Sequence, residues 1–394
     1  MQEVSKYNSG KRNKDIEIVV QKKDCCGCYA CVNVCPKKCI EMKEDKAGFL
    51  HPVIDRGQCI HCGKCYHVCP SIHKEELGFQ NPKQAFAVWS LNADLRNASS
   101  SGGFATQVGR WMIEKKGIVY AAVIANNAEV LHKRISKTSE LKSMQGSKYV
   151  HSKIGTTYTE CKKDLENGTQ VVFIGTGCQI AGLKRYLGKK YQNLLTIDLI
   201  CHGVPSQKML RDSIKHLVGD SNIETFSCRK GTRYILTAYK ENKEYRDRLF
   251  YDRYMRAFLD GVISRENCYK CPYAASQRVS DITIGDFWGL GELKSVQKEE
   301  SKGINVVLLN TENSALLFDE IKEKFFTEER PVEEAIKGND QLNHPAKMSE
   351  KREWFLQCYT GGMDFTRAVD TVYHINWIKK IQMLSENVRK KFLH

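Results

Sequence analysis

From Ala85 onward, short apolar runs alternate with amphipathic stretches, the pattern of strands and helices in an α/β domain. Segments 118–125, 171–174, 196–200, 281–285 and 304–310 read as strands. Apolar spacing of three and four predicts helices over about 103–116, 154–166, 178–187, 206–218, 250–260 and 312–325. Past 330 the chain turns polar and helical and closes on NVRKKFLH, which reads as a surface element. Upstream, KEELGFQNPKQ with Gly78 and Pro82 marks a boundary. The expected organisation is a basic extension over 1–19, a small unit over 20–76, an α/β domain over 84–330 and a polar helical region over 331–394.

The small unit is organised by cysteine rather than by hydrophobic period. CCGCYACVNVCP and CIHCGKCYHVCP both contain C-x2-C-x2-C-x3-C-P, through Cys25, Cys28, Cys31, Cys35 and Pro36, then Cys59, Cys62, Cys65, Cys69 and Pro70. Three thiolates on a tight loop grip three corners of one cubane, and the fourth, carried onward before proline, reaches the other cluster. That assigns Cys25, Cys28, Cys31 and Cys69 to one [4Fe–4S] cluster, and Cys59, Cys62, Cys65 and Cys35 to a second. Zinc has no use for a doubled four-cysteine run. Cys26 and Cys39 fall outside the spacing and read as small buried side chains. The segment resembles bacterial two-cluster ferredoxins, a small α+β fold.

Seventeen cysteines in a chain whose charged N-terminus lacks a signal-peptide core point to metal ligation, because a reducing cytoplasm disfavours disulfides. No apolar run is long enough to cross a bilayer, so the expected location is cytoplasmic. The formal net charge of +15 is spread along the whole chain without a recognition-helix or stacking-aromatic pattern. It therefore reads as a solvated surface suited to an acidic redox partner, and nucleic acid is not expected.

Three loops carry the remaining candidates. SSSGGFATQV (99–108) opens a helix with serines and glycines, either an anion site or a helix cap at Ser101. VVFIGTGCQIAGL (171–183) invites a dinucleotide fingerprint, which fails because Ile180 stands where the third glycine belongs. It nevertheless places Cys178 at the carboxyl end of a strand, and TIDLICHGVPS (196–206) does the same for Cys201 and His202. With Cys268 and Cys271 of ENCYKCPYAA these make a four-thiolate set that suits either zinc or iron–sulfur. Cys161, Cys228 and Cys358 read as isolated thiols. Asp286 and His202 lie near the expected site, but no acid–base dyad is legible, and catalytic residues stay unassigned.

Taken in order, the tandem cluster motif, SSGGFATQV, GSKY (146–149), GTGCQIAGL, LICHGVPS and NCYKCPYAASQRVSDITIGDFWG resemble the coenzyme F420 hydrogenase/dehydrogenase beta-subunit family over about 20–310. The resemblance implies an α/β flavin-binding domain holding FAD, preceded by the bacterial-type 2[4Fe–4S] ferredoxin unit. It also implies a third [4Fe–4S] cluster on Cys178, Cys201, Cys268 and Cys271. Ser101, Gly102, Gly103, Gly146, Ser147, Lys148 and Tyr149 match segments around the flavin. Gly177 precedes Cys178 where many members carry proline, which suggests a looser turn. The implied function is an FAD-dependent oxidoreductase linking a ferredoxin or another redox subunit to a small organic molecule. Its context is F420-type, or an accessory step of polysaccharide or secondary metabolism. The alternative is a non-catalytic relay or assembly subunit.

Overall fold

The computed structural model describes residues 19–220, 222–231, 233–247, 252–291 and 302–375. The extension up to residue 18 and NVRKKFLH lie outside them.

The N-terminal unit contains one hairpin, β1 (Ile40–Glu44) against β2 (Leu50–Ile54), paired antiparallel. Its turn is closed by Asp45, whose Oδ1 accepts from the backbone N–H of Ala47 and Phe49 at 2.9 Å each. Then come β3 (Gln84–Ser90), β4 (Ile118–Ile124), β5 (Val130–Ile135), β6 (Val171–Thr176), β7 (Leu194–Leu199), β8 (Thr225–Lys230), β9 (Arg233–Lys240), β10 (Lys243–Arg246), β11 (Ile282–Asp286), β12 (Asn305–Leu309) and β13 (Phe325–Arg330).

Eight of these form one mixed sheet in the order β13-β3-β12-β11-β7-β6-β4-β5. Its centre, β4, β6, β7 and β11, is parallel, and four of the five strand segments read from the sequence form it. The flanks are antiparallel additions: β5 on one side, β12, β3 and β13 on the other. The pattern reading missed β3, β5 and β13, and it extended the helix Glu312–Ile321 into what is β13. It also left 225–246 unassigned, where β8, β9 and β10 make a separate antiparallel sheet. A two-residue turn signal stood in the sequence there, since Glu241 and Asn242 both take positive φ between β9 and β10.

Two packing results position the site. Cys28, Cys31 and Cys69 share one apolar core with Ile180 and Leu183 of the helix Gly177–Leu187 and with Phe173 of β6. The linker is pinned as well, Gln80 and Arg278 exchanging two backbone hydrogen bonds at 2.8 Å. Second, the region beyond 330 is more than the surface element its polarity suggested. Phe355, Tyr359, Phe365 and Val369, from the helices Lys351–Thr360 and Phe365–Val372, are buried with Met209 and Phe258.

Candidate redox site

The two cysteine loops repeat in backbone as well as in spacing. Gly27 and Tyr29 take left-handed φ of 69° and 64°, and the equivalent His61 and Gly63 take 53° and 71°. Residue types differ, but the turn is the same, and it aims a backbone N–H at the first thiol of each run. Gly27 N lies 3.4 Å from Cys25 Sγ, and His61 N lies 3.4 Å from Cys59 Sγ. A cavity of about 20 Å³ is lined by Cys25, Cys28, Cys31 and Cys69 with Pro70 and Cys26. These are the four thiols that spacing assigns to the first cluster. Cys65 neighbours Cys62 and Cys35, and Cys35 Sγ lies 3.4 Å from Cys39 Sγ. Burial pushes the Cys31 thiol well up and Cys69 to about 12. Thiols buried like this ionise only with a compensating cation, which is the environment an iron–sulfur cluster supplies.

The second cysteine set is assembled by the parallel sheet. Thr176 at the end of β6 lies opposite Leu199 of β7, which lies opposite Ile284 of β11. Chains leaving these strands emerge side by side at the carboxyl edge, where open α/β sheets collect ligands. Cys178 leaves β6 on the first turn of its helix, and Cys201 leaves β7 in a loop. The loop carrying Cys268 and Cys271 is folded over this edge by Arg278. Its guanidinium donates to the carbonyls of Tyr273 and Ala275 and to Asp198 Oδ2 at 2.6 Å. Asp198 is fully buried on β7, with Oδ1 accepting from Ser280 and Thr283 at 2.8 and 2.6 Å. Arg265 N donates to Val204 O at 2.8 Å, fixing the start of the same loop beside Gly203.

The four thiols form a chain of neighbours: Cys268 beside Cys201 and Cys271, and Cys271 beside Cys201, with Cys178 beside Cys271. Burial raises Cys201, Cys268 and Cys271, the last to about 12, while Cys178 is raised first by its hydrogen bond with Cys26 and then by burial. Among the described residues no three His, Cys, Asp or Glu side chains converge to hold a single metal ion. Cys178 also touches Cys26, which in turn touches Cys28. Sequence reading set Cys26 aside, yet its side chain joins the two cysteine sets. Its only signal was its position next to Cys25 in the chain.

Gly177 begins its helix without a positive φ, so the turn is not loosened. Glycine is required for another reason: a Cβ there would lie 2.8 Å from Tyr273 Cβ, in the loop that brings Cys271 over the edge.

Against this set lies a cavity of about 270 Å³, lined by Cys201, His202, Ser99, Ser101, Gly103, Gly146, Ser147, Lys148, Tyr149, Arg229, Asp286 and Trp288, among others. Ser101 is not a helix cap. The N-cap is Gly103, Phe104 N donates to Asn305 Oδ1 at 3.1 Å, and the buried Ser101 hydroxyl has no partner among the described residues. Arg229 pairs with Asp286, and its buried Nε has no partner among them either. Two unsatisfied polar atoms at an open cavity mark a place for a polar ligand. Gly102 does not line it; a Cβ there would lie 2.3 Å from Val88 O, so its role is close packing on β3. Lys148 lines the cavity while its Nζ donates to the carbonyls of Met144, Gln145 and Gly146 at 2.8, 3.0 and 3.0 Å. Burial draws its pKa down to about 7.

His132, unremarked in the sequence, also lines the cavity. Its Nε2 donates to Ile174 O at 3.0 Å, and its Nδ1 accepts from Ser152 Oγ at 3.1 Å. Burial lowers its pKa to about 4, so the ring is neutral. Burial also lowers His202.

Residues 168–335 match the family described as the C-terminal part of the coenzyme F420 hydrogenase/dehydrogenase beta subunit. Two models described as 4Fe-4S dicluster domains match residues 24–72 and 51–111. The second match contains only Cys59, Cys62, Cys65 and Cys69, which the first also covers, since 73–111 contains no cysteine. Comparison with curated proteins gives no match. Among solved structures, a chain of the xenon-derivatised F420-reducing [NiFe] hydrogenase complex from Methanosarcina barkeri is 15% identical. It aligns over 67% of this chain and 90% of its own length with a TM-score of 0.46. Among the described residues no helix is long and apolar enough to cross a membrane.

Proposed function

We propose, for a chain that belongs to the coenzyme F420 hydrogenase/dehydrogenase beta-subunit family over residues 168–335 and carries a 4Fe–4S dicluster domain over 24–72, an iron–sulfur flavoprotein that moves electrons between a ferredoxin-type partner and a small organic molecule. One observation carries the reading. Cys201 belongs to the second thiol set and also lines the large cavity, while Cys26 and Cys178 join that set to the N-terminal unit.

The residues form a continuous route. Cys59, Cys62, Cys65 and Cys35 hold the outer cluster, and Cys25, Cys28, Cys31 and Cys69 the inner one. Cys178, Cys201, Cys268 and Cys271 hold a third beside the cavity. FAD bound in the cavity would exchange an electron pair, as hydride, with the organic molecule, whereas clusters supply electrons singly. Ser101 Oγ and Arg229 Nε are the free donors that would receive its polar groups. Ser99, Ser101 and Gly103 lie at the start of the helix Phe104–Glu114, where backbone N–H groups favour a phosphate. Lys148 holds the carbonyls of residues 144–146 in place, and neutral His132 and His202 keep added positive charge out of the cavity. Asp286 is paired with Arg229, so it serves to orient that arginine rather than to move protons.

Anaerobic purification with an iron count and a flavin assay tests this. About twelve irons with one FAD are expected. Eight irons with one zinc would remove the third cluster, and absence of flavin would remove the enzyme reading. Reoxidation of the reduced holoprotein by F420, NAD(P), ferredoxin and candidate organic acceptors then identifies the partner. The matched family is one of subunits, which favours as second reading a relay that passes electrons to another chain. Flavin that is reduced and reoxidised only when a second protein is present would establish that reading.

A further inference from the structure

Arg265 is 2% exposed and lies between the two cysteine sets, three residues before Cys268 and against the Cys25 loop. Its Nε donates to Cys25 O at 2.6 Å, its Nη2 to Leu50 O at 2.7 Å, and His51 Nδ1 lies 3.3 Å from Nη2. Nη1 is buried with no hydrogen-bond partner among the described residues, and a Cβ on Gly27, inside the Cys25–Cys28 loop, would lie 3.3 Å from it. Among the described residues no carboxylate pairs with this guanidinium, in contrast to Arg278, which is equally buried and holds Asp198. An uncompensated cation in a protein interior is unfavourable by several kcal/mol, and two carbonyl dipoles offset only part of that. What the surroundings do offer is a ring of thiols. A cubane bound by four thiolates carries net negative charge and gains one more electron on reduction.

We propose that Arg265 is the buried counter-charge of the cluster held by the Cys25 loop, favouring its reduced form and so raising its reduction potential above that of the same cluster without the guanidinium. The assignment rests on the iron–sulfur reading above. It makes the inner cluster, next to Cys26 and Cys178, a better electron acceptor than it would be without the guanidinium. One electron enters from an external low-potential reductant and reduces one Fe(III) centre of the cluster, with no bond made or broken. Arg265 stays protonated throughout.

The test is a redox titration of the anaerobically purified full chain, followed by electron paramagnetic resonance with dithionite as reductant. Arg265→Gln is expected to keep the wild-type iron content and to move one cluster midpoint to a more negative potential while the others stay. Arg265→Lys, which retains the charge, is expected to move the same midpoint less. Unshifted midpoints in a fully loaded R265Q protein would overturn the proposal, as would an equal shift in both variants. If R265Q loses iron or fails to fold, His51→Glu decides. It sets a carboxylate against Nη2 with Arg265 in place and is expected to lower the same midpoint; no change there overturns the proposal. Fewer than eight irons in the wild type would instead sink the underlying cluster reading.

Discussion

Cys26 stands beside Cys25 in the chain and beside Cys178 in space, and only the second fact gives it a role. Both four-thiolate sets are complete without it, so Cys26→Ser is expected to retain the full wild-type iron content. A loss of about four irons would make it a ligand instead. His132 shows the same dependence on surroundings. Its folded pKa of about 4 lies below the ordinary 6.5, because burial disfavours the charged ring. As pH falls, the unfolded chain takes up the proton first. The stability held by neutral His132 is therefore complete above about pH 6.5 and declines towards pH 4, by about 1.4 kcal/mol per unit. Denaturant midpoints at about pH 7 and pH 5 should separate in the wild type and lie closer together in His132→Gln. Nothing in the local sequence announced His132, since a lone histidine on an edge strand gives no pattern.

Among elements, the parallel strands and their following helices were legible because each carries its own hydrophobic period and its own caps. Ser206 accepts from Met209 N to start one helix, and Gly219 with φ of 95° ends it. The antiparallel additions β3, β5 and β13 were not legible, because the same short patterns serve loops and edge strands, and only pairing with a neighbour distinguishes them. The loop over 266–275 depends on contacts from outside itself, Arg278 with Asp198 and the close approach of Tyr273 to Gly177. Gly177→Ala is expected to push Tyr273 away, destabilise the fold by about 1–3 kcal/mol and lower iron at the Cys178 set while leaving the N-terminal pair loaded. Iron analysis and thermal unfolding check both parts; unchanged iron and midpoint would show that the loop tolerates the methyl group.

At the scale of the whole molecule, the N-terminal unit and the α/β sheet share a core, with Cys28 packed so closely on the helix Gly177–Leu187 that a Cβ on Gly182 would lie 2.9 Å from Cys28 Cβ. A chain starting near residue 77 would bare Ile180, Leu183 and Tyr273. It is expected to aggregate or to unfold at a markedly lower temperature than the intact protein, as light scattering and calorimetry would show. A truncated chain as stable as the whole would mean that the two parts are separable. The sequence by itself determined the eight-cysteine unit, the central strands, and the four cysteines Cys178, Cys201, Cys268 and Cys271 as a set worth testing. Those features are written in spacing between near neighbours, where turn geometry and side-chain period act directly. Tertiary structure alone decided that Cys26 meets Cys178, that Cys201 faces a cavity with the Ser101 hydroxyl, and that Arg265 is buried with no carboxylate beside it among the described residues. These depend on contacts between residues far apart in the chain, set by how the sheet edge, the folded-over loop and the N-terminal unit pack together.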